Sequence, residues 1–150
     1  LGIAGSLTEE LPIGTACCFD QVACYGIGAG MGMDHLSADE MNWPHWPGGD
    51  AAFDHAITDT IPLSNSDNSH RLLLSCCAAA GSPADVQLRR LKYPNALAEA
   101  MEGFAVAVAC RLAGIPLKII RGISNHAGDR QHSRWKITEA LQSAAALCHV

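Results

Sequence analysis

The chain has 150 residues, which is enough for one domain with a buried core, and its 49% apolar and 17% charged residues are typical of a folded protein. The formal net charge is −5 and the ten basic residues are scattered, so no basic surface for a nucleic acid is predicted. No apolar run is long enough to cross a bilayer, so no membrane-spanning segment is predicted either.

The first predicted elements are strands. Residues 1–6 (LGIAGS) predict a strand that ends in a glycine turn. Residues 15–24 and residues 71–76 are apolar runs short enough to form two further strands. Together these segments indicate a sheet, with a long loop between the second and the third strand.

That loop, residues 26–68, is rich in Gly, Pro, Asp and Trp, and a loop of this length is usually a lid or a partner surface. Its GIGAGMG run does not fit the G-x-G-x-x-G pattern, and residues 33–36 do not predict the helix that a phosphate loop needs. Dinucleotide binding is therefore not indicated. Trp43 and Trp46 have two interpretations, stacking on a base or holding together the loop's own small cluster.

The seven cysteines are an odd number, and four of them form the adjacent pairs Cys17-Cys18 and Cys76-Cys77. The chain has no C-x-x-C and no C-x-x-H motif, and its seven histidines do not show the spacing of a metal site. Small buried thiols in a reducing compartment are therefore predicted, rather than a disulfide framework or a zinc site.

Three helices are predicted in the second half of the chain. The first follows the N-cap Ser82, has Pro83 in its first turn and should run to about Lys92. The second, residues 104–113, is apolar nearly all round and ends at a glycine and a proline. The third covers residues 135–150, where apolar residues recur at helical spacing.

A strand and a polar loop follow the second helix. Residues 117–123 are a β-branched run that predicts a strand, and this strand runs straight into the polar loop 124–130. A helix, a tight turn, a strand and a polar loop at the strand's carboxyl end are how α/β proteins build ligand sites. The sequence therefore places its candidate site here.

Two motifs in this region carry a resemblance to a known family. The run Met101-Glu-Gly103 precedes the second helix, and Arg121-Gly-Ile-Ser-Asn125 ends the strand that follows it. Together they resemble the nucleoside phosphorylase and nucleosidase superfamily, and within it the futalosine hydrolase family of the alternative menaquinone pathway. The finer pattern also includes Glu99, residues 127–130 (AGDR), Trp135 and the opening GIAGS run.

The resemblance implies a three-layer α/β fold around a central mixed sheet. It also implies a short strand over residues 95–100, where propensity alone favours a helix. In that family the opening GIAGS segment lies well inside the domain. Residues 1–150 are therefore expected to be the carboxyl-terminal portion of a single nucleosidase domain, without the part that usually supplies the acid that activates water.

Cleavage of a ribosyl–purine bond passes through an oxocarbenium-like sugar, so it needs an anion near the ribose, a donor to the leaving purine and a positioned water. Glu102 fits the first role, since the dipole and the free amides of a helix N-terminus favour its ionised form. The alternative is that Glu102 merely caps its helix. Glu99 is a weaker candidate that a plain surface position explains equally well.

Asn125 fits the second role. A 6-oxopurine presents acceptors at N7 and O6, and an amide NH₂ supplies two donors without a charge to desolvate. The relatives that act on adenine nucleosides carry Asp at this position, so Asn125 implies hypoxanthine or guanine as the leaving group. The alternative is an asparagine that forms an Asx-turn after the strand.

The resemblance implies that further residues contact the substrate: Met101, Arg121, Ser124, Ala4 and Gly5. Ala4 and Gly5 would let the backbone approach the sugar closely. Arg121 would hold the water or a substrate anion, and as a cation on an otherwise apolar strand it needs a partner. Residues 78–80 and Ser82 are expected near the base.

The predicted function is hydrolysis of futalosine to hypoxanthine and dehypoxanthine futalosine, without a cofactor or a metal. The predicted enzyme is a cytoplasmic homo-oligomer whose partner is a small-molecule nucleoside. One alternative is another purine nucleosidase or a nucleoside phosphorylase. A second alternative, of a different class, is a non-catalytic fragment that binds nucleosides.

Overall fold

The fold is built on strands that the computed structural model places within residues 1–49, 54–64 and 70–148, the part of the chain that it describes. The strands are β1 (Gly2–Ser6), β2 (Ala16–Phe19), β3 (Gln21–Tyr25), β4 (Gly28–Ala29), β5 (Leu36–Ser37), β6 (Thr60–Pro62), β7 (Leu72–Cys76), β8 (Ala96–Ala100) and β9 (Ile119–His126). Within the described ranges, seven of them form one mixed sheet in the order β2-β9-β1-β8-β7-β3-β6, and β4 pairs with β5.

The sheet curls so that its two ends approach each other. Asp20 alone separates β2, at one edge, from β3, which lies next to the other edge. Asp20 is fixed there because its side-chain Oδ2 accepts a hydrogen bond of 2.7 Å from the backbone N–H of Arg71. The predicted strand 15–24 is therefore two strands, because the chain turns sharply at Asp20 and pairs with β9 before the turn and with β7 after it.

Helices cover both faces of the sheet: α1 (Pro83–Lys92), α2 (Gly103–Leu112) and α3 (Ile137–Cys148). Successive residues of a strand point to opposite faces, and β7 follows this rule. Leu73 packs in the cluster that includes Phe104 of α2, whereas Leu74 packs in the cluster that contacts Val86 of α1. The predicted three layers of helix, sheet and helix are confirmed.

The third helix, α3, lies directly on β9 at Gly122. An added Cβ at Gly122 would lie 2.0 Å from the carbonyl oxygen and 2.9 Å from the Cα of Ala140. Ala140 and Ala144 of α3 are fully buried, so both sides of this contact use small residues. The close approach of helix to sheet therefore depends on the missing side chain at Gly122.

Replacing Gly122 by Ala is expected to lower the free energy of unfolding by about 1–3 kcal/mol, because α3 must move away from β9 to make room. Urea unfolding of the purified protein measures this change. The matched control is Gly81→Ala, since an added Cβ at Gly81 would meet its nearest neighbour at an ordinary 3.5 Å. Equal stability of the two variants would contradict the close packing of α3.

Most local predictions from the sequence are confirmed. The helix after Ser82 runs from Pro83 to Lys92, and Ser82 accepts a capping hydrogen bond from the backbone N–H of Asp85. The segment at 95–100 forms β8, as the resemblance implied and propensity did not. The strand predicted over 117–123 is instead β9, which extends to His126, so Ser124 and Asn125 belong to the strand and not to a loop.

The long segment after β3 is anchored to the fold by a buried carboxylate. Asp59 accepts a hydrogen bond of 3.1 Å from the backbone N–H of Asp39, and its other oxygen lies 2.8 Å from Nε2 of His45. Trp46 packs against the core, whereas Trp43 is exposed. The parts of the predicted loop 26–68 that fall on residues 50–53 and 65–69 lie outside the described residues.

None of the helices in the described ranges combines the length and the apolar character that crossing a membrane requires.

Candidate active site

A pocket of about 200 Å³ lies where β9, β1 and β8 run side by side. Its wall also includes the segment after β7, the start of α2 and the segment between β9 and α3. Six of the seven predicted site residues line it: Ala4, Gly5, Met101, Glu102, Ser124 and Asn125. The structure therefore brings together residues that are more than a hundred positions apart in the sequence.

An irregularity in the pairing of β1 with β9 shapes this pocket. Ala4 pairs with Ile123 and Gly5 pairs with Asn125, so Ser124 is an extra residue on β9. Neighbouring strand residues normally point to opposite faces, and a bulge of this kind re-aims them. Here both Ser124 and Asn125 line the pocket, although they are adjacent in the strand.

The amide of Asn125 is held in a defined orientation. Its Oδ1 accepts a hydrogen bond of 2.8 Å from the hydroxyl of Ser124, and its Nδ2 donates one of 2.8 Å to the carbonyl oxygen of His126. An amide NH₂ has two donors, so one N–H of Asn125 remains after these two bonds. The carbonyl oxygen of His126 can only accept, so its bond fixes Nδ2 as the donor end of the amide, whereas the hydroxyl of Ser124 could either donate or accept.

Gly5 lets Asn125 come close to β1. An added Cβ at Gly5 would lie 3.4 Å from Nδ2 of Asn125 and 3.3 Å from the Cα of Ala127. These separations are shorter than most contacts of a Cβ, so a side chain at Gly5 would press on both neighbours. Gly5, which the sequence predicted to let the backbone approach the sugar, therefore also leaves room for Asn125 and Ala127.

Glu102 is the N-cap residue of α2, but its side chain makes no capping hydrogen bond. Its side chain is 69% exposed, and Oε2 lies 3.6 Å from Nη2 of Arg121. Glu102 lines both the pocket and an adjoining cavity. The alternative in which Glu102 merely caps its helix is therefore not what the geometry shows.

Arg121 does not line the pocket with the other predicted site residues. It lines the adjoining cavity, of about 430 Å³, and forms an ion pair with Glu102, which lines both cavities. Burial lowers the pKa of Arg121, and the charge of Glu102 opposes that effect. Within the described residues, Nε of Arg121 has no hydrogen-bond partner.

Glu99 is not the surface acid that the sequence allowed. It is buried, forms an ion pair with Arg89 of α1 and accepts a hydrogen bond of 2.9 Å from the backbone N–H of Ala80. Arg89 also donates to the carbonyl oxygen of Ala78 at 2.7 Å. The pair therefore fixes residues 78–80, two of which line the pocket. In the sequence, the sign of this burial was an acidic residue, Glu99, among the apolar residues of β8.

Burial affects the ionisation of the groups around this ion pair. It raises the pKa of Glu99, and the amide of Ala80 and the charge of Arg89 oppose the rise. Burial also raises the pKa of the neighbouring Cys76 thiol to about 12, so this thiol is protonated at neutral pH. Cys76 is therefore a buried, unreactive thiol in the wall behind the pocket.

The pocket wall includes Arg130 and Trp135, to which the sequence assigned no role. Both residues lie in the segment between β9 and α3. The sequence placed Trp135 inside the last helix, but α3 begins two residues later, at Ile137. The sequence did contain a sign that they belong to the site, because both residues are part of the family pattern. Trp43 and Trp46, which the sequence offered for stacking on a base, do not line the pocket.

The cysteines are all free, and only some are buried as predicted. Cys17, Cys24 and Cys76 are buried, whereas Cys77 and Cys148 are exposed. Among residues 1–49, 54–64 and 70–148, no group of three or more His, Cys, Asp or Glu side chains is arranged to hold a metal ion.

Comparisons with known proteins bear on the family and the fold of the chain. A family model described as the phosphorylase superfamily matches residues 1–149. The futalosine hydrolase of Streptomyces coelicolor is 31% identical over 143 residues, a match that takes in 93% of this chain and 58% of that enzyme. The chain therefore spans less than two thirds of the length of this relative.

Solved structures with lower identity share the fold. The futalosine hydrolase of Helicobacter pylori is 21% identical, with a TM-score of 0.66 over 98% of this chain and 64% of that chain. A 5′-methylthioadenosine/S-adenosylhomocysteine nucleosidase from Colwellia psychrerythraea, solved in complex with adenine, is 18% identical, with a TM-score of 0.70 over 98% of this chain and 62% of that chain. These likenesses confirm the fold class that the sequence predicted.

Proposed function

Because this chain belongs to the phosphorylase superfamily, we propose that its pocket takes part in hydrolysing the N-ribosidic bond of futalosine. The reaction adds water across the bond and releases hypoxanthine and dehypoxanthine futalosine, a step of menaquinone biosynthesis. The observation that carries the proposal is that Glu102 and Asn125 face one pocket, one as an anion and the other as an oriented donor.

The first support is the position of Glu102. Positive charge develops on the ribose as the bond breaks, and a carboxylate near the ribose stabilises it. Glu102 lies at the N-terminus of α2, at the wall of the pocket. Its Oε2 is 3.6 Å from Nη2 of Arg121.

The second support is the orientation of Asn125. The leaving purine accumulates negative charge, and an N–H donated to N7 or O6 stabilises it. Since Nδ2 of Asn125 keeps one N–H after its bond to the carbonyl oxygen of His126, the amide offers a ligand a donor. A donor suits a 6-oxopurine such as hypoxanthine, whose N7 and O6 are both acceptors.

We propose that residues 1–150 are the carboxyl-terminal portion of a single nucleosidase domain, a proposal supported by their match to 58% of the Streptomyces coelicolor enzyme. In the experiments below, the full-length enzyme means residues 1–150 together with the segment that precedes them in such a domain. Activity is measured on that polypeptide, because the residue that activates water is expected in the preceding segment.

The decisive measurement is the release of hypoxanthine from futalosine by the full-length enzyme, with and without inorganic phosphate. We expect equal rates in both buffers, and oxygen from labelled water in the sugar product. Release that requires phosphate would identify a phosphorylase instead. Binding of futalosine without release would identify a non-catalytic nucleoside-binding protein.

We also propose that the protein is a homo-oligomer in the cytoplasm. Large apolar side chains stand exposed on the segment after β3, including Met31 at 88% and Met33 at 74%, and exposed apolar groups of this kind are typical of partner surfaces. Seven free cysteines favour a reducing compartment. Sedimentation of the purified full-length enzyme tests the oligomer, and a monomer at micromolar concentration would contradict it.

A further inference from the structure

A cation and an aromatic ring form one part of the pocket wall. Cζ of Arg130 lies 5.9 Å from the centroid of the Trp135 ring, and both residues line the pocket. The ring is held in place, since Nε1 of Trp135 donates a hydrogen bond of 3.1 Å to the carbonyl oxygen of Asp129. The ring of His132 contacts it with a centroid separation of 4.5 Å. The pair therefore presents a fixed aromatic surface beside a positive charge.

Among residues 1–49, 54–64 and 70–148, Arg130 has no acidic partner. Two other arginines near the pocket are paired, Arg89 with Glu99 and Arg121 with Glu102. In the part of the chain that the structure describes, Arg130 forms no ion pair and its recorded contact is the Trp135 ring. A guanidinium of this kind binds a carboxylate in a planar, bidentate manner and stacks on aromatic groups.

The position of the pair within the pocket indicates which part of a nucleoside it would meet. Ser124 and Asn125 are buried, so the base lies at the closed end, whereas Arg130 is exposed and lies at the opening. Pockets for ligands of ordinary size have about 300–1,000 Å³. The present pocket, of about 200 Å³, is smaller than this, so we expect a larger substituent on the ribose to extend out of it past Arg130.

We propose that Arg130 and Trp135 form a subsite for an aromatic carboxylate carried by the ribose of the substrate. The guanidinium of Arg130 pairs with the carboxylate, and the indole of Trp135 packs against the aromatic ring. This inference rests on the proposed nucleosidase function, because it assigns the base to Asn125 and the ribose to Glu102. Futalosine belongs to this class of compound, since its ribose carries a side chain that ends in a carboxyphenyl group.

The subsite also gives a physical reason for selectivity against plain nucleosides. Binding energy from a part of the substrate that does not react can be used to hold the reacting bond in place. A nucleoside without the aromatic carboxylate lacks both contacts at the opening of the pocket. Inosine is therefore expected to be a poorer substrate than futalosine.

The test compares futalosine with its methyl ester, which keeps the aromatic ring and loses the negative charge. In the full-length enzyme, Arg130→Met is expected to lower kcat/KM for futalosine by roughly 3- to 30-fold, mainly through KM. Solvent screening at this exposed position keeps the effect below that of a buried charge pair. Activity on the ester is expected to change by less than about 2-fold. Trp135→Leu is expected to weaken both substrates, because stacking does not depend on the charge.

The matched control is Arg134→Met, which removes an exposed arginine from the same segment outside the pocket wall. This variant should keep the preference of the wild-type enzyme for the acid over the ester. Equal losses on acid and ester in Arg130→Met, or no loss on either, would overturn the subsite.

Failure of the proposed reaction is separable from failure of the subsite. If the wild-type enzyme does not hydrolyse futalosine, the proposed function is wrong, and dissociation constants for the acid and the ester replace kcat/KM. A preference for the acid that is lost in Arg130→Met then still supports the subsite. The absence of such a preference in the wild-type enzyme overturns it.

Discussion

Replacing Asn125 by Asp is expected to lower kcat/KM for futalosine by roughly 10- to 100-fold or more in the full-length enzyme, since each buried group left unpaired costs about 1–3 kcal/mol. A carboxylate oxygen would take the place of the amide donor and would face the acceptors N7 and O6 of the purine. The measurement is the steady-state rate of hypoxanthine release.

The contacts of Asn125 sharpen this expectation. The oxygen that replaces Nδ2 would lie where a hydrogen bond of 2.8 Å now reaches the carbonyl oxygen of His126. Two acceptors at that separation repel each other, so the new carboxyl group is under pressure to take up a proton. The single O–H of a protonated Asp donates either to the carbonyl oxygen of His126 or to N7, and when it donates to N7 the other carboxyl oxygen can accept from an amino group at position 6. The variant should therefore lose less activity on the 6-amino analogue of futalosine than on futalosine.

The ratio of kcat/KM for the two substrates, in wild type and in variant, decides the role of Asn125. The matched control is Asn95→Asp, at an exposed position outside the pocket wall, which should leave the ratio unchanged. If the ratio for Asn125→Asp does not move toward the amino substrate, Asn125 does not contact the base. The assignment to a 6-oxopurine then loses its main physical support.

Replacing Glu102 by Gln is expected to lower kcat by roughly 10- to 150-fold in the full-length enzyme, because a hydrogen bond to a charged group is worth about 1.5–3 kcal/mol. Glu102 is 69% exposed when no ligand is bound, so the full effect requires that the bound nucleoside excludes water from it. The loss should fall on kcat more than on KM, since positive charge on the ribose develops only in the transition state. Steady-state kinetics with futalosine measures both.

The same substitution removes the charge that faces Arg121, so a structural effect must be separated from a chemical one. Thermal unfolding of the variant reports the structural effect. Glu139→Gln, on the exposed side of α3 and outside the pocket wall, is the matched control. A variant at Glu102 with an unchanged kcat would mean that this carboxylate has no part in the chemistry.

The sequence predicted the elements whose cause is local. The helix after Ser82 is such a case, because its cap and its first-turn proline are adjacent in the chain. The extension of β9 through Ser124 and Asn125 was not predicted, because their strand partner Gly5 lies more than a hundred residues away. Polar residues after an apolar run favour a loop until such a partner is known.

The same distinction applies within the site. Met101 and Glu102 were predictable because they form one short motif with the start of α2. The burial of Glu99 depends on Arg89 from another element, and neither residue alone signals the pair. Arg121 lies in the adjoining cavity because successive side chains of β9 point to opposite faces of the sheet. A match to a motif does not take this alternation into account.

The central position of β1 has a consequence for how the protein folds. This strand joins β9 to β8, so the two parts of the sheet meet only when the start of the described chain is in place between them. Pairing β1 with β9 closes a loop of more than a hundred residues. This closure costs conformational entropy before the contacts form, and such non-local pairings slow folding. We therefore expect Gly5 and Asn125 to come together late, so that the pocket is assembled near the end of the folding reaction. A nucleoside that binds the assembled pocket then stabilises the docked β1 by mass action. The sheet should therefore unfold less readily when the site is occupied.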